Sequence, residues 1–360
     1  MLKNREEAME QFIGKSLSGN LKEAVYGLSE PKFIILFSKE EYFEKHVREL
    51  EKMYPDIPSI GCVGTSYTGD IYNGDDGCSV IAYTGSIEAV TGVLTDIEQA
   101  PVLKIRELDE NMRKINAESD NTVCIDLCTG NDGCVVTTLN MVLRRFNISL
   151  VGGTSWCDKV SVNGKVYSDA CVYAFVKNLS GRIKTYKENI YRPTDNRFVV
   201  TKTDTKEKKI ISLDNTPAAQ IYCRALNIPE SKIETQTYEN PFGRFIGKEI
   251  YIISIKQQQE NGIVCFKQVN EMDVLTILQL DDVDRVVNST ISKIKNDFPT
   301  ISGIFSVNCL FRYNLFNEHD YFGAYLSRMQ GLGCHAGFVG MGEHYNGQHI
   351  NQSMSCVVFE

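Results

Sequence analysis

The sequence predicts a mixed α/β protein with largely antiparallel sheets, made of repeated β-α-β-β units in two halves, with stacked sheets flanked by helices as one way to cover them. A repeat is the first ground. Gly64-Thr65-Ser66 and Gly153-Thr154-Ser155 share a tripeptide, and a shift of 89 residues that carries one onto the other superposes what precedes them without a gap, Ile34 on Val123, Leu50 on Leu139 and Tyr54 on Leu143. The second ground is the pair of return runs, Val80-Ile81-Ala82-Tyr83 and Val172-Tyr173-Ala174-Phe175, each separated from its tripeptide by a polar loop containing glycine. Return strands this apolar need cover on both faces. Third, a looser copy closes the chain, from Ile301-Ser302-Gly303-Ile304-Phe305 through Tyr321 to Met329, into Gly333-Cys334-His335-Ala336-Gly337 and back along Ser355-Cys356-Val357-Val358-Phe359. Repeats of this length read as duplicated supersecondary units sharing a core.

Each element has its own signal. Residues 1–30 form an N-terminal extension with a short helix expected over Glu7 to Phe12. Lys32 to Phe37 is an apolar run of strand length, and Ser38-Lys39-Glu40-Glu41 reads as a capping box for the next helix. That helix carries Phe43, Val47, Leu50 and Tyr54 on one face and stops at Pro55. Ile57 to Val63 is the next strand, and Ser86 to Thr95 alternates as a strand expected to pair antiparallel with Cys78 to Tyr83. After a helix from Val102 to Ile115, the second copy supplies a strand at Thr122 to Leu127, a helix at Gly133 to Arg145, and strands at Ser149 to Gly152, Val166 to Val176 and Arg182 to Lys187. Residues 191–214 turn polar, and their charge run Lys206-Glu207-Lys208-Lys209 reads as a solvated boundary between residues 31–190 and 215–360. Beyond it come a helix at Pro217 to Leu226, strands at Glu249 to Ile255, Gly262 to Lys267 and Val274 to Leu280, and a helix whose stripe is Val283, Val286, Val287, Thr290, Ile291 and Ile294.

Composition narrows the function classes. Lys plus Arg number 38 against 46 Asp plus Glu, a net charge of −8, and no basic run is interleaved with aromatics, so nucleic acid is not an expected partner. The N-terminal residues are polar and no apolar run approaches the roughly 18 residues of a membrane span. A cytoplasmic protein without a membrane partner is expected. The 12 cysteines lie mostly inside apolar strand patterns, as in Val123-Cys124-Ile125-Asp126-Leu127-Cys128, and read as reduced thiols that pack as small hydrophobes.

Two further sets of residues carry a resemblance. Gly61-Cys62-Val63-Gly64-Thr65-Ser66 with Gly69-Asp70-Ile71, and Val151-Gly152-Gly153-Thr154-Ser155 with its return strand, resemble the FIST N-terminal domain. Asn308-Cys309-Leu310-Phe311-Arg312, Gly337-Phe338, Gly342-Glu343 and His349-Ile350-Asn351-Gln352-Ser353 resemble the FIST C-terminal domain. The resemblance covers residues 30 to 360 and implies a bacterial sensory module of signal transduction that binds small ligands such as amino acids, with haem-linked sensing in some members. With no coiled-coil heptads and no output segment in view, signalling is expected to pass through a separate partner.

The candidate ligand-binding residues follow from chemistry. Arg312 can hold a carboxylate through two parallel hydrogen bonds, or else tie down an internal acid. Glu343 can take an ammonium, completing a zwitterion site, or sit in a solvent-facing turn. Asn351 can contact ligand or pin the hairpin backbone. Cys309 can react or simply pack. Thr65, Ser66, Thr154 and Ser155 place hydroxyls and backbone N–H groups at the strand exits, where a polar ligand could be received. The expected cleft lies between these exits and the C-terminal hairpin. Clustered His319, His335, His344 and His349 beside Cys309 and Cys334 raise a haem or metal reading, with His335, His344 and His349 as the haem candidates, although their spacing matches no zinc motif and no cofactor is expected. An enzyme reading would use Cys309 or Cys334 as nucleophile with His335 and Glu343. It lacks a nucleophile elbow, a P-loop or a dinucleotide fingerprint, so a non-enzymatic sensor is expected.

Overall fold

The computed structural model describes residues 8–74 and 77–360. Its elements run β1 (Glu10–Ser16), α1 (Leu21–Ala24), β2 (Phe33–Ser38), α2 (Glu40–Met53), β3 (Ser59–Val63), β4 (Ser66–Thr68), β5 (Ile71–Tyr72), β6 (Cys78–Thr84), β7 (Ile87–Thr95) and α3 (Ile105–Lys114). The second copy gives β8 (Thr122–Cys128), α4 (Asp132–Phe146), β9 (Ser149–Thr154), β10 (Val160–Val162), β11 (Lys165–Tyr167), β12 (Ala170–Asn178) and β13 (Ile183–Asn189). Next come β14 (Tyr191–Asp204), β15 (Lys209–Leu213), β16 (Thr216–Pro217), α5 (Ala218–Leu226), β17 (Phe242–Ile246), β18 (Glu249–Ile253), β19 (Ile255–Gln259), β20 (Gly262–Cys265), β21 (Val274–Leu280) and α6 (Val283–Asp297). The third copy is β22 (Gly303–Cys309), α7 (Leu310–Glu318), α8 (Phe322–Gln330), β23 (His335–Gly340), β24 (Glu343–Tyr345), β25 (Gln348–Ile350) and β26 (Ser353–Phe359).

Two compact units result. One takes the residues up to Glu188 with Val287–His349 and Ser353–Glu360, and the other takes Asn189–Val286 with Ile350–Gln352. The first unit thus contains all three copies, and each copy nucleates a sheet with the same centre: return strand, first strand, second strand, in the orders β6-β2-β3, β12-β8-β9 and β26-β22-β23. First and second strands are parallel because a helix carries the chain back between them, while the return strand is antiparallel. Each centre is widened on its return side by the strand that precedes the copy, β1, β7 or β13.

The other edge is covered by exchange. The loops between tripeptide and return strand are short hairpins, and each pairs with a different copy: β4 of the first copy on β23 of the third, β10 of the second on β3 of the first, β24 of the third on β9 of the second. An open second strand would expose a row of unpaired backbone groups, and the cyclic donation removes all three such edges. The inner faces meet in one apolar core, to which β2 sends Phe33, Ile35 and Phe37, β8 sends Val123, Ile125 and Leu127, and β22 and β23 send Phe305, Val307 and Phe338. Their outer faces pack under helices, Ile34 and Leu36 with the α2 residues Phe43, Val47 and Leu50, and Cys124 and Cys128 with the α4 residues Val135 and Leu139.

That division corrects the gap-free superposition. A shift of 89 residues puts inward Ile35 on outward Cys124, whereas it keeps Cys62 and Val151 on the same, inward face. One residue of offset therefore separates first strand from second, and in a period of 2 that turns every side chain over. Other expectations also change. Of the expected N-terminal helix, Glu10 to Phe12 lie in strand β1, paired with β6 in a seven-residue register from Glu10 opposite Thr84 to Ser16 opposite Cys78, and Glu7 lies outside the described residues. Sheet pairing outweighed the local propensity. No capping box forms at α2: its N-cap Lys39 makes no side-chain cap bond, and Ser38 Oγ instead lies 2.8 Å from His46 Nδ1. β7 pairs with β12, not with β6. The polar stretch at 191–214 forms the hairpin β14–β15, and β14 pairs with both β15 and β21 in the second unit. That unit packs Val200, Ile210, Tyr222, Phe242, Ile263 and Leu275 into its own core. All twelve cysteines are free thiols.

Candidate functional site

The exchange places three residues side by side at the same point of each sheet: one from the first strand, a glycine from the second, and one from the donated hairpin. In the first copy these are Leu36, Gly61 and Ser161, in the third Ser306, Gly337 and Tyr67, and in the second Asp126, Gly152 and His344. The glycine is required because the outer residues reach across it. A Cβ on Gly152 would lie 1.9 Å from Asp126 Oδ1 and 2.2 Å from its carbonyl oxygen. Gly152→Ala is accordingly expected to cost at least the ~1–3 kcal/mol of an overpacked core, read by denaturant unfolding, and a loss below ~0.5 kcal/mol would show that the strands do not approach this closely.

Only the second copy carries an acid and an imidazole at this point. His344 Nδ1 lies 2.7 Å from Asp126 Oδ2, and its Nε2 lies 3.0 Å from Oδ1 of Asp132, the first residue of α4. Thr154 Oγ1, at the end of β9, donates to Asp132, and His349 Nε2 stands 3.8 Å from the same carboxylate. Cys128 Sγ is 4.0 Å from His344 Nε2 and 3.7 Å from Thr154 Oγ1. Gly342 closes the group from above: a Cβ there would meet His349 Nε2 at 2.6 Å and Asp132 Oδ1 at 3.2 Å. Asp126 and His344 are fully enclosed, while the side chains of Asp132 and His349 keep 19% and 18% of their exposure, so the cluster opens to solvent at one end.

Charge follows from this enclosure. Burial alone would drive the proton off His344, but the Asp126 carboxylate overrides it and holds the imidazolium well above its ordinary range. Burial likewise opposes the charge on Asp132, yet His349 and His344 keep its carboxyl well below the usual range. Cys128 moves the other way, its thiol pushed up by burial and then by the Asp132 charge. That shift favours the thiol over the thiolate.

A second polar group sits in the third copy. The Tyr67 hydroxyl donates to the Ser306 carbonyl oxygen at 2.9 Å and accepts from Asn308 Nδ2 at 2.9 Å, and His335 Nε2 lies 2.8 Å from Ser306 Oγ. Arg312 lies in α7 rather than at a strand end; its Nε donates to Asn308 Oδ1 at 3.0 Å and its Nη2 pairs with Glu188 at the end of β13. The guanidinium is fully buried against the rings of Phe316 and Tyr325, at 4.5 and 5.1 Å.

Of the residues singled out from the sequence, the structure brings together Thr154, His344 and His349. Ser155 Oγ lies 3.0 Å from the carbonyl oxygens of both Val63 and Lys159, to one of which its hydroxyl donates. Ser66 Oγ accepts from Asn73 and Ser79, and the Thr65 carbonyl accepts from the Val339 N–H. Glu343 is buried and accepts from Ser353. Cys309 is the buried N-cap of α7, and Asn351 is buried among the residues grouped with the second unit. The thiol enzyme constellation does not assemble, since Cys334 Sγ turns to the Gln11 carbonyl, His335 to Ser306 and Glu343 to Ser353. Nor do His335 and His344 offer room for a haem: both side chains are fully buried, the first against the Tyr67 ring at 5.4 Å. Three surface depressions of about 390–610 Å³ are lined without any histidine.

Asp126, Cys128 and Asp132 were missed. Their signal was present as Cys124, Asp126 and Cys128 alternating on one face of a strand that leads into Asp132, and as Gly152 beside Gly153, but only the hairpin exchange reveals that His344 completes it.

Residues 32–216 match the FIST N domain and residues 218–346 the FIST C domain, two sensory domains of signal-transduction proteins. The chain belongs to the FIST family. No match was found among curated proteins. Among the described residues no helix is long and apolar enough to cross a membrane.

Proposed function

We propose that this chain is a non-enzymatic sensory protein of the cytoplasm that reversibly binds a small polar ligand at the Asp132 cluster and passes its state to a separate output protein. The observation that carries this reading is the cluster itself: imidazole, carboxylate, hydroxyl and thiol converge from two copies of the repeat and reach solvent through Asp132 and His349. The family's sensory role and the upward shift of the Cys128 thiol favour binding over nucleophilic chemistry. A ligand that bridges Asp132 and His349 would tie α4 to the donated hairpin, so occupancy changes how firmly one copy holds another.

The test is a thermal-shift screen against amino acids, related carboxylates and divalent cations, with Asp132→Asn in parallel. A ligand at ~100 times its dissociation constant adds about 2.7 kcal/mol to the native state, which moves the midpoint by several degrees. A shift present in the parent protein and lost in Asp132→Asn is expected. Silence from every compound would sink the reading.

A further inference from the structure

The geometry points to a divalent transition-metal ion as the ligand of this cluster, held by Cys128 Sγ, Asp132 Oδ1, His344 Nε2 and His349 Nε2. The inference rests on the cluster being the sensor's binding site and names the class of ligand it takes. Among the described residues Cys128, Asp132 and His344 present one ligand atom each within 4.8 Å of one another. In a tetrahedral zinc-like shell, with metal–sulfur at about 2.3 Å and metal–nitrogen or –oxygen at about 2.0–2.1 Å, neighbouring ligand atoms stand about 3.3–3.6 Å apart. Within the group of three, His344 Nε2 stands 3.0 Å from Asp132 Oδ1 and 4.0 Å from Cys128 Sγ, on either side of that spacing, while His349 Nε2, 3.8 Å from Asp132 Oδ1 but outside the group, is the fourth ligand that would have to move in.

Two supporting features are of a kind that metal sites use. His344 presents Nε2 to the cluster because its other nitrogen is held by Asp126 at 2.7 Å, the carboxylate–histidine pairing that fixes the tautomer and orientation of a ligating imidazole. The set is also chemically mixed, two nitrogens with one sulfur and one oxygen, which suits zinc and its neighbours rather than calcium or magnesium. Metal uptake would replace the protons on Cys128 Sγ and His344 Nε2, both released to solvent, and draw in His349 from the hairpin donated by the third copy.

Cobalt(II) is the probe. Titrating the metal-free full chain is expected to load one ion per chain and to give a thiolate-to-cobalt charge-transfer band in the near ultraviolet together with visible ligand-field bands. Cys128→Ser should remove the charge-transfer band, His349→Gln should weaken cobalt binding, and Asp126→Asn, which touches no metal, should lower affinity about 10–100-fold. Because the buried variants could unfold, circular dichroism accompanies each titration, and His349→Gln, at the exposed end, provides an independent arm. Absence of a stoichiometric cobalt spectrum in the native chain overturns the inference. A thermal shift with an amino acid that is lost in Asp132→Asn, without any cobalt spectrum, would overturn the metal while leaving the sensor reading standing; cobalt bands that survive Cys128→Ser and His349→Gln unchanged would move the ion elsewhere and overturn it too.

Discussion

Arg312→Met is expected to lower the unfolding free energy by about 3–5 kcal/mol, the usual consequence of leaving one partner of a buried ion pair without the other. Arg312 and Glu188 are both buried, at 0% and 2% exposure, so removing the guanidinium strands a carboxylate away from solvent and without its ion-pair partner. Asn308 would lose the Nε–H bond at 3.0 Å, and the rings of Phe316 and Tyr325 would lose the flat cation packed against them. The double variant Arg312→Met with Glu188→Leu should recover much of the loss, because two apolar side chains of similar volume carry no desolvation cost. Urea unfolding of the two single variants and the double variant gives the coupling directly. A loss under ~1 kcal/mol for Arg312→Met would mean that the guanidinium is not committed to Glu188, which is the condition for its alternative role as a carboxylate-binding residue.

The second large effect is a dependence of stability on pH that runs through His335. This imidazole is fully buried, its Nε2 on Ser306 Oγ, and burial pushes its pKa down to about 3. In the unfolded chain it takes up a proton near its ordinary value of about 6.5. The unfolded state therefore binds the extra proton first, so the contribution is fully present above pH ~6.5 and is lost as pH falls towards ~3. The slope is about 1.4 kcal/mol per pH unit, or roughly 2–3 kcal/mol by pH 4.5. The ring neighbouring it, Tyr67, carries a phenol raised by burial and stays neutral across this window. His335→Gln keeps a polar group near Ser306 but removes the titration. Its stability curve should flatten relative to the parent between pH 6.5 and 4.5, after an offset at neutral pH for the altered packing. Parallel curves would show that His335 takes its proton while folded.

Both effects arise in the third copy, whose sequence is the loosest of the three, and this bears on what the chain reveals about itself. Repeated apolar runs and tripeptides were enough to find the units, because a fully buried strand must be apolar on both faces and Phe33 to Phe37 or Val172 to Phe175 can be little else. The parallel pair was implied by the helix between its strands. What failed were pairings over long sequence distance. The apolar alternation of Ser86 to Thr95 states that one face is buried but not against which partner, and the adjacent Cys78 to Tyr83 was the cheaper guess. In the structure β7 belongs to β12. The polarity of residues 191–214 suggested solvent, yet a strand can carry lysines on one side and still donate its backbone to two neighbours.

The sequence by itself determined the repeat, the class of fold, the reduced thiols and the family, since each depends on local pattern or composition. Tertiary structure alone decided the site. Asp126 and His344 lie 218 positions apart in the chain and become neighbours only because the third copy's hairpin crosses to the second copy's sheet over a glycine. Backbone hydrogen bonds drive that exchange, and they are indifferent to side-chain identity, so no spacing of His, Cys and Asp in the sequence could announce which of them would meet.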